Sequence, residues 1–171
     1  MLDQVVRRLA PLAALPALLV LAAPARGGGV PVPPVPPAAL AATPPTTLMS
    51  EVVTMTNQQR HAAGCRPLAV DQELIVASVR QSWYMARTGV FTHVWRNGST
   101  FVTRSHAAGY RQPAGENIAW GYTSAAEVMS AWMKSPSHRA NILDCEIRSI
   151  GTGVVYAANG IPYYTQVFGW E

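Results

Sequence analysis

The chain predicts an α+β fold, with helices packed on an antiparallel sheet in one globular domain behind an N-terminal appendage. Three observations lead there. Apolar residues recur on helical faces in successive stretches between residues 48 and 135, two β-branched and aromatic runs follow near the C-terminus, and ten of the 14 prolines precede Thr46. At 49% apolar and 13% charged residues, the 171-residue chain is too apolar for a solvated polymer. It lacks the three-residue glycine period of collagen and the heptads of a coiled coil.

The appendage divides in two. Arg7 and Arg8 stand ahead of an apolar run over residues 9–23, closed by Ala23-Pro24-Ala25, the small-x-small pattern that signal peptidase cuts. Residues 1–25 are expected to be a secretory signal, because the run falls short of the ~20 residues that cross a bilayer and Pro11 and Pro16 interrupt it. Residues 26–47 are expected to be a Pro-rich linker. From Val30 it reads VPVPPVPPAALAATPPTT, seven prolines and no charge, which favours extended polyproline II and a semi-rigid spacer. Recognition by a Pro-binding module is the alternative role. The folded domain then covers residues 48–171.

Within it, residues 48–63 read as a helix stopped by Gly64. Asp71 is placed as the N-cap of a second helix, with Ile75, Val79, Trp83 and Ala86 on one face and Gly89 at its end. Ser124 and Glu127 form a capping box for a third, whose Val128, Ala131, Trp132 and Ser135 share a face as far as Pro136. A short helical turn covers residues 137–143. Residues 150–157 and 161–168 make a hairpin about Asn159-Gly160, a pair suited to a tight turn.

Charge narrows the partners. Removing residues 1–25 takes away Arg7, Arg8 and Asp3, so the net charge falls by one, from +4 to +3. Basic residues from Arg60 to Arg148 are scattered singly, without the stripe or aromatic interleaving of a nucleic-acid surface, so no nucleic acid is expected. A mild preference for anionic envelope polymers or lipid surfaces fits, as does a simply solvated surface. No long apolar run follows the signal, so no stable membrane span is expected after its removal. In an exported chain Cys65 and Cys145 favour a disulfide, with free buried thiols as the alternative. On the chain-entropy model such a bond contributes about 4–5 kcal/mol at most.

The residues able to carry chemistry fall in Phe91-Thr92-His93, Gly115-Glu116-Asn117-Ile118-Ala119 and Ser135-Pro136-Ser137-His138-Arg139-Ala140-Asn141-Ile142-Leu143. Taken with Asn57-Gln58-Gln59-Arg60, Arg66-Pro67-Leu68, Trp132-Met133 and Tyr164-Thr165-Gln166-Val167-Phe168-Gly169, the order and spacing resemble the CAP superfamily. These SCP-like extracellular domains group cysteine-rich secretory, antigen 5 and plant pathogenesis-related 1 proteins, and the likeness is to the bacterial branch. It covers about residues 55–169. The resemblance implies a three-layer α-β-α sandwich around the antiparallel sheet, and with the signal it implies a secreted, extracellular or cell-envelope-associated protein.

In eukaryotic relatives the family implies a cavity of two histidines and two glutamates able to hold a divalent metal. His93 and Glu116 match that set, whereas Ser135 stands in place of the second glutamate and Tyr163 in place of the second histidine. His138 is the candidate to enter the cavity instead. The candidate cavity residues are therefore His93, Glu116, His138, Tyr163, Ser135 and Asn117. His93, His138 and Glu116 would form a His₂Glu set of the kind that holds zinc with an open water position. The alternative is a buried Glu116 carboxylate that accepts hydrogen bonds and ties a loop to the sandwich, with no metal or turnover. Nucleophilic catalysis has no support, since Ser137 and His138 are sequence neighbours that point apart and no Gly-x-Ser-x-Gly elbow is present.

His61 and His106 lie in polar stretches and are expected at the surface, Trp83 and Trp132 in the core, and Trp95, Trp120 and Trp170 at the edge of a groove. The leading expectation is a secreted non-catalytic binding module, for which the resemblance implies a lipid or sterol, or a cell-envelope or host component. The rival is a metal-dependent hydrolase with Glu116 as general base and the metal on His93 and His138.

Overall fold

A computed structural model describes residues 42–171. The expected signal, and the expected linker as far as residue 41, lie outside the described residues. Helix α1 (Pro45–Ala62) begins inside the expected linker, because proline is well accommodated in the first helical turn, where its missing N–H has no partner to lose. Leu48, Val52, Thr56 and Arg60, each one turn apart, form its buried face. Strand β1 (Ala69–Val70) leads to α2 (Gln72–Thr88), which Asp71 caps by accepting from the Leu74 amide and Gly89 closes in the left-handed conformation.

Helix α3 (Phe101–Ala108) was not expected. It opens with a Thr100–Thr103 capping box but has no apolar stripe, since Arg104 and Ser105 are the residues it buries. Strand β2 (Pro113–Trp120), α4 (Ala125–Lys134), α5 (Pro136–Leu143), β3 (Ser149–Tyr156) and β4 (Pro162–Gly169) follow. The Ser124–Glu127 capping box of α4 is formed as expected.

The sheet order is β1-β3-β4-β2. The three long strands are antiparallel, and two-residue β1 adds a short parallel edge beside β3. The β3–β4 turn differs from a two-residue turn. Ala157 donates to Ile161, Gly160 donates to Ala157, and only Gly160 takes a positive φ, so a three-residue loop closes on a left-handed glycine. Helices α2 and α3 cover one face of the sheet; α1, α4 and α5 cover the other. This is the α-β-α sandwich expected. Among the described residues no helix is long and apolar enough to cross a membrane.

The face of α2 that meets the sheet is not the one its apolar residues suggest. Leu74, Ala77, Ser78, Gln81, Ser82 and Met85 are buried, while Trp83, expected in the core, is 52% exposed. Backbone proximity is the cause. A Cβ on Gly151 would lie 2.0 Å from the Leu74 carbonyl carbon, and one on Gly153 would lie 2.4 Å from that of Ser78. At that separation only glycine fits on the strand, and Ser78 and Ser82 donate to the Gly151 and Gly153 carbonyls at 3.0 and 2.9 Å. On the opposite face Trp132 is core as expected, packed with Val128, Met129, Ile150, Tyr164 and Phe168.

Two clamps tie α1 to the segment after α5. Cys65 and Cys145 form the expected disulfide, with their Cα atoms 5.0 Å apart. Arg60, fully buried rather than a scattered surface charge, donates to the carbonyls of Arg66, Ile142, Asp144 and Ile147. The Asn57 side chain binds both backbone groups of Leu68, as a neighbouring strand would.

Candidate functional site

Strand β2 lies at the edge of the sheet, so side chains from both helical layers meet around it. Its pairing with β4 shifts between Pro113 and Gly115, a bulge after which Glu116 stands opposite Val167 on the face that meets α2. Both Glu116 carboxylate oxygens are engaged there. Oε1 lies 2.9 Å from Nδ1 of His93, and Oε2 accepts from Nη2 of Arg104 at 2.7 Å.

Arg104, which the sequence reading did not single out, sits with its side chain 2% exposed. It also donates to the carbonyls of Ser99 and His93, and its guanidinium lies over the Trp95 ring. Buried Gln81 fixes the same loop from below, donating to the Thr92 carbonyl and accepting from the Trp95 indole, each at 2.6 Å. Tyr84 stacks on Trp95. The result is a braced loop holding His93, whose imidazole is half exposed.

His138, on α5, is half-buried in the wall of a cleft of about 270 Å³ at the β2 edge. Phe91, Ile118, Trp120, Trp132 and Ser135 also line this cleft. Burial, and after it the charge of His93, holds the His138 imidazole below its ordinary pKa. Neither His93 nor Glu116 belongs to the wall. Tyr163 lies beneath it, buried with Met85 and Ile118 and stacked against Trp120 at 6.2 Å between ring centres.

Asn117 faces the other layer, as strand alternation requires of the residue after Glu116. It donates to the His138 carbonyl and to Gln166 Oε1, and accepts from Asn141 at 2.8 Å. Asn117 is thus a tie between β2, β4 and α5 and not a cavity residue. Of the six candidates, Ser135 and His138 reach the cleft. His61 and His106 are exposed as expected, and Trp120 edges the cleft.

The His93, His138 and Glu116 set does not fit a divalent metal. Arg104 brings a guanidinium against one Glu116 oxygen and His93 takes the other, so the carboxylate has a cation partner already. Among the described residues no three His, Cys, Asp or Glu side chains converge to hold an ion. The loop-tying hydrogen bonds, weighed as the alternative reading of Glu116, are the arrangement observed. No pattern in the sequence flagged Arg104, because its helix carries no apolar period and its partners lie 11 and 12 residues away.

The family profile described as CAP, cysteine-rich secretory protein family, matches residues 53–168. The uncharacterized protein YkwD of Bacillus subtilis (strain 168) is 37% identical over 121 residues, covering 70% of this chain and 46% of that protein. The uncharacterized membrane protein YlbC of the same organism is 29% identical over 123 residues, 71% of this chain and 34% of that protein. The chain therefore spans less than half the length of these curated relatives. In fold it is similar to an extracellular protein containing an SCP domain from Bacillus anthracis str. Ames, with a TM-score of 0.68 and 24% identity over 74% of this chain and 41% of the other. It is similar as well to an outer surface protein from Borrelia burgdorferi, with a TM-score of 0.66 and 21% identity over 72% of this chain and 92% of the other. With the profile spanning about two thirds of the sequence and the sandwich matching these structures, the chain belongs to the CAP family of cysteine-rich secretory proteins.

Proposed function

We propose that the domain is a secreted, non-catalytic binding module that takes an apolar molecule, a lipid or a sterol, into the cleft at the β2 edge. The observation that carries this reading is the division of labour around β2. The ionisable groups Glu116, Arg104 and His93 are spent on one another, while the adjoining cleft presents Phe91 and Trp120, each about half exposed, around a floor that includes Ile118 and Trp132. Affinity would come from apolar area removed from water, with His138 and Ser135 as the polar groups that orient the ligand. A cell-envelope or host component bearing such an apolar group would use the same contacts. Export follows from the signal expected over residues 1–25, and the extracellular description of the Bacillus anthracis neighbour supports it.

The test is a fluorescence titration of the purified protein with a fluorescent fatty acid and, separately, a fluorescent sterol. Trp120→Ala should weaken binding about tenfold, a change of about 1.4 kcal/mol, while folded Glu116→Gln should bind as the parent does. Unchanged affinity in Trp120→Ala would overturn the cleft as the site. A hydrolytic activity abolished in folded Glu116→Gln would reinstate the hydrolase reading.

A further inference from the structure

We propose that the outer face of α2 docks an extended, acidic polypeptide segment of a partner protein, at a site separate from the β2 cleft. Val76, Arg80, Trp83 and Arg87 follow one another at spacings of four, three and four residues, which lines them up along one side of a helix. The opposite side of α2 is pressed onto β3, so this stripe has no part in the core. Val76 is 40% and Trp83 52% exposed. A rigid helix carrying an exposed indole between two arginines has the composition of an interface hot spot, which is enriched in Trp and Arg.

Trp83 separates two recesses. One, of about 460 Å³, lies between α2 and α3, with Val79, Trp95 and Ala107 in its walls. The other, of about 270 Å³, lies between α2 and the β3–β4 hairpin, with Ala86 and Val155 in its walls. Each suits an apolar side chain. The cations beside them lack carboxylate partners: Arg87 rests its guanidinium over the Trp83 ring, and Arg80 makes a single long hydrogen bond, 3.4 Å, to the Ala107 carbonyl. Among the described residues neither forms an ion pair.

An occupant bringing two apolar anchors and carboxylates for Arg80 and Arg87 has the make-up of an extended peptide whose every second residue meets the helix, two large apolar ones flanked by acidic ones. In extended backbone, side chains two residues apart share one side, roughly 6.6–6.8 Å from each other, so alternate residues can straddle one ring. A hydrocarbon chain brings no carboxylate for Arg80 and Arg87, and a flat lipid surface leaves both recesses unfilled.

The test is selection of a phage-displayed library of random 12-residue peptides on the purified full chain, followed by anisotropy titration of the enriched sequences as labelled synthetic peptides. The expected result is enrichment of peptides with two large apolar residues two positions apart and Asp or Glu two positions before or after them. Trp83→Ala should weaken their binding about tenfold or more, as should the Arg80→Glu/Arg87→Glu pair, whereas Trp120→Ala changes it less than about twofold. Raising the salt should weaken binding to the parent. All three altered side chains on α2 lie on its outer face, so circular dichroism should show folded variants. Absence of enrichment, enriched peptides without acidic residues, or binding indifferent to Trp83→Ala overturns the proposal. So does a Trp83-dependent interaction with phosphatidylglycerol vesicles but with no selected peptide. Because the β2 cleft is read out by Trp120→Ala, failure of either site is seen separately.

Discussion

The two helical layers grip the same sheet in different ways. Under α1 and α4, large apolar side chains interlock, Trp132, Tyr164 and Phe168 among them, and distance between backbones is filled by side-chain volume. Under α2 the backbones almost touch at Gly151 and Gly153, and serine hydroxyls on the helix bond the strand carbonyls directly. Hydrophobic burial dominates the first contact, whereas steric fit and hydrogen bonding dominate the second. The second leaves the bulky residues of α2 facing out. Apolar periodicity therefore identifies the inner face of α4 and misidentifies that of α2.

The sharpest way to break this contrast is Gly151→Ala, which puts a Cβ within 2.0 Å of helix backbone that has no rotamer to change. We expect a loss of about 4 kcal/mol or more in urea unfolding, as large as the cavity left by Trp132→Ala on the other face. A cost below about 1 kcal/mol would mean that α2 can lift freely from β3. Next comes Glu116→Ala, which strands the buried Arg104 guanidinium and should cost about 3–5 kcal/mol. Glu116→Gln keeps an acceptor for Arg104 and should cost less, so equal losses in thermal unfolding would refute the pairing as the cause.

Ser82→Ala is smaller. It removes the bond to the Gly153 carbonyl and leaves Thr165, 2.8 Å away, without its hydroxyl partner, and should cost about 1–3 kcal/mol. No change would remove hydrogen bonding from the account of the α2 face. The weakest effect expected is on pH. Because the native His138 pKa lies below its ordinary value of 6.5, the unfolded chain binds more protons between the two values. Stability should rise with pH through that interval and level off above about 6.5, and His138→Gln should flatten the rise. A slope that survives the substitution would assign it to another group.

Sequence reasoning reached what depends on local rules. The Asp71 cap, the Ser124–Glu127 box, the terminal hairpin and the Cys65–Cys145 bond all follow from short-range chemistry or from a single possible pairing. Ordered motifs carried the three-layer architecture and included the stretch from which Ser135 and His138 line the β2 cleft. It failed where a long-range partner decides the outcome. Trp83 sits on a plausible apolar face, but the glycines that select the other face are about 70 residues away. Nothing near Glu116 announces that an arginine on an unpatterned helix will take its second oxygen. Asn117 follows Glu116 directly in its motif, yet successive strand residues point to opposite faces, and Asn117 binds Asn141 and Gln166 on the other side of the sheet.

Arg60 gives the disulfide a different meaning from that of a lone staple. Its four carbonyl acceptors lie close to Cys65 and Cys145 along the chain, at Arg66 and from Ile142 to Ile147. In the folded chain the guanidinium and the disulfide therefore hold the same two segments together. Reducing the Cys65–Cys145 bond alone should leave these segments joined through Arg60.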